Sequence, residues 1–518
     1  MSLYLKKFRL VILVLIAATA FPINTFASPG STSGGCAGNC IYVCVYGCGG
    51  LYGKYCLSPF KNLYSYIFDK DPILIIIDTS KESIKEITAR SALPRSKVHW
   101  GYNSTAAVGN KIVMGPDKEG GDSILIIDAA KGTVTKKHGL SKARWGWESA
   151  AVVGNKVIMG PGKEGSSILI VDTVKETVTE KDGLSRATWG WNSTAVVGNK
   201  VVMGPGEEGA SILIVDSEAG TVIEKGGLHT GWWGYKSTVV AGNKVVMGRG
   251  HFSGTSILII DAAKGAVTEK GGLAKAEWGV ESTVVAGNKV VMGRGNIGGS
   301  ILIIDPEKET VTEKGGLHMG CWGTNAVAVA GDKVIMGNGG DTSILIIDAA
   351  RGKITEKGGF SRATWGKDAT AIAGNKVVMG RDSSSNSILI IDPEAGTVIE
   401  KGGLSYAHWG QKSTAVVGNK VVMGCTRGNS ILIIDTVRET VTEKGGLSTA
   451  TWGYESTAVA GNKVVMGRGW RENPGTSILI IDPEAGTVIE KGGLSYAHWG
   501  QKSTAVAGNK AVMGPGKD

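Results

Sequence analysis

Ten copies of the dipeptide Trp-Gly recur every 43 to 47 residues, at Trp100, Trp145, Trp189, Trp233, Trp278, Trp322, Trp365, Trp409, Trp452 and Trp499. Each is followed by a stretch close to Ser-Thr-Ala-Val-Val-Ala-Gly-Asn-Lys-Val-Val-Met-Gly. A fixed period of this length is the mark of an array whose units bury their apolar faces only against neighbours. It overrides the three or four separate domains that 518 residues would otherwise predict. The repeat runs from about Leu74 to Gly514 without a linker, and the 79 glycines fall largely at fixed repeat positions, where they mark turns.

One unit reads from Ser387 to Gly424. Ser-Ile-Leu-Ile-Ile-Asp (387–392) has the length and branching of a strand buried on both faces. A Pro-Glu-Ala-Gly turn leads to Thr397–Lys401, and a loop carries His408-Trp409-Gly410. Ser413–Val417 and Lys420–Met423 flank Gly418-Asn419, a two-residue hairpin signal that demands positive φ. Four short antiparallel strands per unit predict an all-β fold, a β-propeller of ten four-stranded repeats. A single large ring is expected, with two adjoining five-bladed rings as the alternative. Before the array, Asn62–Lys70 mimics a fourth strand with its following loop and is expected to latch the last unit. The first unit has Asp78-Thr79-Ser80-Lys81-Glu82 where others turn on Gly, as terminal repeats often depart from the pattern.

Ser-Ile-Leu-Ile-Ile-Asp-Pro-Glu-Ala-Gly-Thr-Val-Ile (477–489), with its Gly-Asn-Lys-Val-Val-Met hairpin, resembles the YVTN/NHL-type propeller repeat. The Asp-x-x-x-Gly turn is similar to repeats of pyrroloquinoline-quinone propellers. The resemblance spans the array and implies fold, not activity. The Trp is placed differently from the quinoprotein Trp, so no cofactor residues carry over.

The N-terminus (1–27) reads as a secretory signal peptide. Lys6, Lys7 and Arg9 precede the apolar Leu10–Ala20 run, and Thr25-Phe26-Ala27 has a cleavage-site pattern. That run is too short to span a bilayer. The mature chain is therefore expected to be secreted, periplasmic or on the cell surface, without a stable membrane span. The net charge of +10 includes those three leader cations; the rest lies mainly in dispersed Glu-Lys pairs, which argues against nucleic acid as a partner. Residues 28–60 form a Cys/Gly-rich segment, and 61–518 the propeller domain. Cys36, Cys40, Cys44, Cys48 and Cys56 are candidates for disulfides in an oxidising compartment. A metal-binding helix is the alternative that Gly38, Gly47, Gly49 and Gly50 disfavour, and a partner-linked segment is another. Five is odd, so one thiol needs a distant partner.

Copies that differ inside one chain point to function. One face carries the nearly constant Asp-Pro-Glu-Ala-Gly and Gly-Asn-Lys turns. The other carries the Trp-Gly loop and the variable segment after Met-Gly. Constant frames with variable loops carry recognition, although drift in idle loops yields variation too. Trp147, Trp191, Trp232, Tyr235, His251, Tyr454, Trp470 and Arg471 are the candidate ligand-binding residues, because aromatics and Arg dominate interfaces. The repeated Trp and Met are expected to be packing residues. His99 and His498 meet if the ring closes, yet no carboxylate or Cys accompanies them, and no metal site is expected. Asn103-Ser104-Thr105 and Asn192-Ser193-Thr194 are glycosylation acceptors in a eukaryotic secretory pathway. No catalytic constellation and no cofactor motif stands out. The expected function is a non-enzymatic propeller binding a protein or carbohydrate through its variable loops. The alternatives are a propeller enzyme of the quinoprotein, lactonase or lyase type, and a structural surface-display protein.

Overall fold

The computed structural model describes the strand pair Ile73–Asp78 and Ser83–Thr88 and residues 100–515, apart from 117–119, 129, 251–253, 382–385, 427, 470–474 and 508. Residues 1–27, expected to be a signal peptide, the five-cysteine segment, Asn62–Lys70 and His99 lie outside the described residues. All described elements are β, and among the described residues no helix is long and apolar enough to cross a membrane.

Nine antiparallel sheets of four strands follow one another in chain order, one of them with a short fifth strand, Gly339–Asp341. We number these blades 1 (100–143), 2 (150–181), 3 (194–225), 4 (232–270), 5 (278–314), 6 (327–357), 7 (363–401), 8 (408–444) and 9 (452–491). The strand pair 73–88 stands before blade 1, and the hairpin Trp499–Ala507 with Lys510–Pro515 follows blade 9. The β-propeller fold is as the repeat predicts, but the unit boundary is not. In blade 7 the Ile388–Asp392 run is the third strand of a sheet that opens with Ala363–Ala373, which holds Trp365. Strand runs alone leave the phase open. It is fixed by Lys376–Arg381 pairing on both sides, with Thr370↔Met379 on one and Met379↔Leu389 on the other. The Trp-Gly segment therefore opens each blade, within the first strand in blades 1, 4, 5, 7, 8 and 9 and in the turn just before it in blades 2, 3 and 6, and the first strands of successive blades adjoin along the whole array, across blades 5 and 6 as elsewhere.

Apolar faces pack between blades. Ala151, Val153, Ile158, Ile168 and Ile170 of blade 2 meet Trp189, Val201, Met203, Leu213 and Val215 of blade 3 in one cluster, and the same set recurs down the array. The eight tryptophans from Trp145 to Trp452 are fully buried in these interfaces. The glycine after each Met is required by close approach: a Cβ on Gly160 would fall 1.8 Å from the Trp189 carbonyl oxygen of the next blade.

A polar latch holds seven of these eight tryptophans, all but Trp365. The Trp189 indole N–H donates to the Ser185 carbonyl at 2.9 Å. The Ser185 N–H donates to Glu224 at 3.0 Å, and Glu224 also accepts from Ser211 at 2.6 Å. The set repeats at Ser405, Trp409, Glu443 and Ser430 and at Ser448, Trp452, Glu490 and Ser477. Burial works against the charge of these carboxylates, but the Ser hydroxyl and backbone N–H donors prevail and hold Glu224, Glu443 and Glu490 below their ordinary values.

Candidate aromatic binding site

The site grows out of the segment that follows each Trp, a bulge in the first strand of six blades and a turn before the first strand in blades 2, 3 and 6. Register slips between Trp233 and Thr238, and likewise in blades 1, 5, 7, 8 and 9. The third residue after each Trp adopts a left-handed conformation, with φ near 50° at Asn103, Glu148, Asn192, Lys236, Glu281, Asn325, Asp368, Lys412 and Glu455. Only Gly, Asn and Asp visit this region readily, so Glu and Lys there are held by their surroundings. Backbone bonds between blades do the holding. The N–H of Glu148 donates to Asn103 at 2.7 Å, Asn192 to Glu148 at 2.9 Å, Lys236 to Asn192 at 2.7 Å, Asn325 to Glu281 at 2.8 Å and Asp368 to Asn325 at 2.8 Å.

The side chains of this belt also pair between neighbouring blades, with donors on either side of each carboxylate. Glu148 accepts from the amides of Asn103 at 3.1 Å and Asn192 at 2.8 Å, and from the indole N–H of Trp191 at 2.6 Å. Glu281 accepts from Lys236 at 2.6 Å and Asn325 at 2.7 Å, and Glu455 from Lys412 at 3.0 Å. These carboxylates hold the Lys236 and Lys412 ammonium groups above their ordinary values, against the opposing effect of burial.

Beside the belt stand the residues two after each Trp. In blades 2 to 4 they are Trp147, Trp191 and Tyr235, and they touch. Trp147 stacks on Trp191 with ring centroids 6.2 Å apart and planes 25° apart. Trp191 meets Trp232 at 6.1 Å and Tyr235 at 5.2 Å, and Trp232 meets Tyr235 edge-on at 5.4 Å. The Arg144 guanidinium lies 4.9 Å from the Trp147 ring centre. All four rings are half-buried. They lie beside the variable loops: a Cβ on Gly162, in the segment after Met159-Gly160, would fall 2.8 Å from the Trp147 Cβ.

The structure thus brings four of the sequence candidates into one aromatic arc. Tyr454 stands apart on blade 9 with the Lys412 ammonium over its ring. His251, Trp470 and Arg471 lie outside the described residues. Sequence reasoning missed the belt. Its signal was present: reading the third residue after each Trp through all ten units gives Asn, Glu, Asn, Lys, Glu, Asn, Asp, Lys, Glu, Lys, with no two acids adjacent. Among the described residues no group of three His, Cys, Asp or Glu has metal-binding geometry, and the two described cysteines, Cys321 and Cys425, are free.

No family model matches this sequence, and no curated protein matches it. Solved propeller structures resemble it at low identity. They include apo AztD from Citrobacter koseri, with 11% identity, TM-score 0.34, and 64% of this chain aligned to 93% of that one. They also include the dihydro-heme d1 dehydrogenase NirN in complex with DHE, with 12% identity, TM-score 0.35, 68% of this chain and 75% of that one. A chain of the mitotic checkpoint complex follows, with 13% identity, TM-score 0.31, 57% of this chain and 84% of that one. The expectation of a non-enzymatic chain is withdrawn: a dehydrogenase is among these likenesses, which at such identity leave enzyme status open in either direction. The β-propeller fold of this chain rests on its own succession of nine four-stranded sheets.

Proposed function

We propose that this chain is a ligand-binding β-propeller, exported to the periplasm, cell surface or medium, that recognises its ligand on the aromatic arc of blades 2 to 4. Its repeat grammar places it nearest the YVTN/NHL type. One observation carries the reading: Trp147, Trp191, Trp232 and Tyr235 form a continuous half-buried aromatic surface; three of them occupy a position that holds Val280, Thr324, Lys367 and Gln411 in other blades (Tyr102 and Tyr454 are its other aromatics), and Trp232 occupies one that holds Thr188, Glu277 and Cys321. A frame that needed aromatics there would repeat them. Half-exposed rings offer flat apolar area with little rotamer entropy to lose, and the Asn and Glu groups alongside supply polar contacts. This combination suits the face of a saccharide ring. A protein ligand offering aromatic or basic side chains is the second arm of the test.

The test is a glycan- and protein-array screen of the mature chain, followed by affinity measurements on Trp191→Phe, Trp191→Ala and Tyr235→Ala, with Val280→Ala and Thr324→Ala as controls. Trp191→Ala should weaken binding by at least about tenfold, equal to about 1.4 kcal/mol, with Trp191→Phe intermediate and the controls unchanged. Equal affinity for Trp191→Ala and the parent chain would refute the arc as the site.

A further inference from the structure

Charge is distributed unevenly around the belt. Four of its described positions are acids: Glu148, Glu281, Asp368 and Glu455. Glu281 and Glu455 are each bonded to a lysine of the preceding blade, Lys236 at 2.6 Å and Lys412 at 3.0 Å. Asp368 follows Lys367 in the chain, and the ring positions around it hold Thr324, Lys367 and Gln411. Glu148 differs on both counts. It is exposed, its partners are the neutral amides of Asn103 and Asn192 and the Trp191 indole, and among the described residues it makes no ion pair. It also stands among rings, directly after Trp147 in the chain and bonded to Trp191.

Aromatic faces carry the negative side of the ring quadrupole and attract cations. The chain uses that attraction at both ends of the arc. The Arg144 guanidinium lies 4.9 Å from the Trp147 ring centre, and the Lys236 ammonium 5.8 Å from that of Tyr235. Lys236 feels the Glu148 charge but is bonded to Glu281. Trp191, in the middle, touches Trp147, Trp232 and Tyr235, yet among the described residues no cation lies over it. More carboxylates stand at its edge. The loop Pro205-Gly206-Glu207-Glu208 passes so close that a Cβ on Gly206 would fall 2.8 Å from the Trp191 Cβ. Glu207 is half-exposed and Glu208 exposed, and neither has an ion pair among the described residues. In the neighbouring loop, by contrast, Glu164 is bonded to Arg186.

We propose, on the reading that the arc is the ligand site, that the group it selects is a protonated amine. The ligand is an amino saccharide whose sugar ring lies on the aromatic surface and whose ammonium sits by Trp191 and Glu148. That ammonium takes the part that Lys236 and Lys412 play for Glu281 and Glu455. A neutral sugar gains the ring contact alone. An ammonium gains the ring faces and an uncompensated carboxylate as well, and an acidic sugar would meet Glu148, Glu207 and Glu208 as like charges.

Calorimetric titration of the full chain with glucosamine oligomers and with N-acetylglucosamine oligomers of the same length tests this. At low ionic strength and below the pKa of the amine, the free-amine oligomer should bind at least about tenfold more tightly. That preference should shrink in high salt and vanish above the pKa of the amine. Glu148→Gln keeps an oxygen that can accept from Trp191 and Asn192, and should narrow the ratio of the two affinities by at least about fivefold. The pH and Glu148→Gln arms separate charge from the bulk of the acetyl group. Equal affinities, tighter binding of the acetylated oligomer, binding of neither, or a preference that survives both Glu148→Gln and the Glu207→Gln, Glu208→Gln pair would overturn the amine. The arc itself fails differently. Were both oligomers bound equally and both weakened by Trp191→Ala, the arc would stand without the amine; were no bound ligand affected by Trp191→Ala, the arc would fall.

Discussion

Blades 1 to 4 and blades 5 to 9 share a frame and differ in how each closes the corner over its Trp. In blades 1 to 3 the residue after Met-Gly is Pro116, Pro161 or Pro205, and the loop is drawn in by hydrogen bonds: Arg144 N–H to the Pro161 carbonyl at 2.8 Å, and the Thr188 hydroxyl to the Pro205 carbonyl at 2.9 Å. In blades 5, 7 and 9 the same place holds Arg294, Arg381 or Arg468, each buried with its guanidinium 4.7 to 5.2 Å from the centre of the frame Trp ring. Blade 4 has both features, Arg249 over Trp233 and Tyr235 in the arc. Blade 8 fills the place with Cys425, a buried thiol whose pKa burial pushes up to about 11, leaving it a packing group at neutral pH. A Pro-Gly loop leaves room for a large ring two residues after the Trp. An Arg fills the corner itself, and the ring position is then Val280 or Lys367 in blades 5 and 7 but still Tyr235 or Tyr454 in blades 4 and 9. The corner can thus be packed in two ways, and only the Pro loops of blades 2 and 3 go with a Trp at the ring position.

The largest expected effect tests whether the two regions stand on one frame. The latch carboxylates Glu180 and Glu224 lie under the arc, and Glu400, Glu443 and Glu490 lie outside it; all are held below their ordinary values by hydrogen bonds that outweigh burial. A depressed folded-state pKa gives stability that is present above the unfolded value, about 4.3 for Glu, and is lost as pH falls through the folded value. Stability should therefore be flat above about pH 5 and collapse on acidification. Tryptophan fluorescence and far-ultraviolet circular dichroism should report one transition. An arc that melts at a different pH from the sheets would break the shared-frame account.

Next in size is the glycine after Met. A Cβ on Gly204 would meet the Trp233 carbonyl oxygen at 2.0 Å, and one on Gly293 the Trp322 carbonyl oxygen at 1.8 Å. Backbone cannot move aside as a side chain can, so Gly204→Ala and Gly293→Ala should each cost more than about 3 kcal/mol in denaturant titration. The costs should be equal in the two regions, because the clash belongs to the frame. The corner residues should not behave equally. Arg381→Met removes a cation over Trp365 and hydrogen bonds to the Ser387 hydroxyl and the Arg362 carbonyl, and should cost about 1–3 kcal/mol. Arg186→Met in the arc region, whose partner Glu164 is itself exposed, should change stability by less than about 0.5 kcal/mol. A neutral Arg381→Met would mean that Arg does not substitute for the Pro loop.

The fold was legible in the chain because every strand and turn is written ten times, and chance patterns do not survive that repetition. What the repeats conceal is where one unit ends. A strand such as Lys376–Arg381 pairs equally well with the hairpin before it and the run after it, and no residue marks which edge is bare. The arc was partly legible. Trp147, Trp191, Trp232 and Tyr235 stand out as departures from the consensus, but their contact depends on the left-handed turn or bulge after each Trp, which bonds one blade to the next. Tyr454 has the same repeat position but lies on blade 9 under the Lys412 ammonium, outside the arc, which sequence position alone does not reveal. The latch was hidden for a different reason. Thr-Glu-Lys reads as solvated surface charge, and only pairing brings the Glu to the Ser hydroxyl thirteen residues before it.

The smallest expected effect lies in the belt and separates the two regions by salt. Under the arc, Glu148 is paired by neutral groups, the amides of Asn103 and Asn192 and the indole of Trp191. Farther round, Glu281 and Glu455 are paired by Lys236 and Lys412. Partly exposed ion pairs contribute about 0.2–1 kcal/mol and weaken as salt screens them, whereas amide hydrogen bonds to a carboxylate are far less sensitive. Lys412→Met should lower stability by about 0.2–1 kcal/mol at low ionic strength, and most of that loss should vanish in 1 M salt, where the screening length is about 3 Å. Asn192→Ala should lower it by about 0.5–1.5 kcal/mol at either ionic strength. The difference has a use in the binding assay. If the arc takes a neutral ligand such as a saccharide, its affinity should follow Asn192 in being insensitive to salt; a basic or acidic ligand would import the salt dependence that the belt keeps out of this sector.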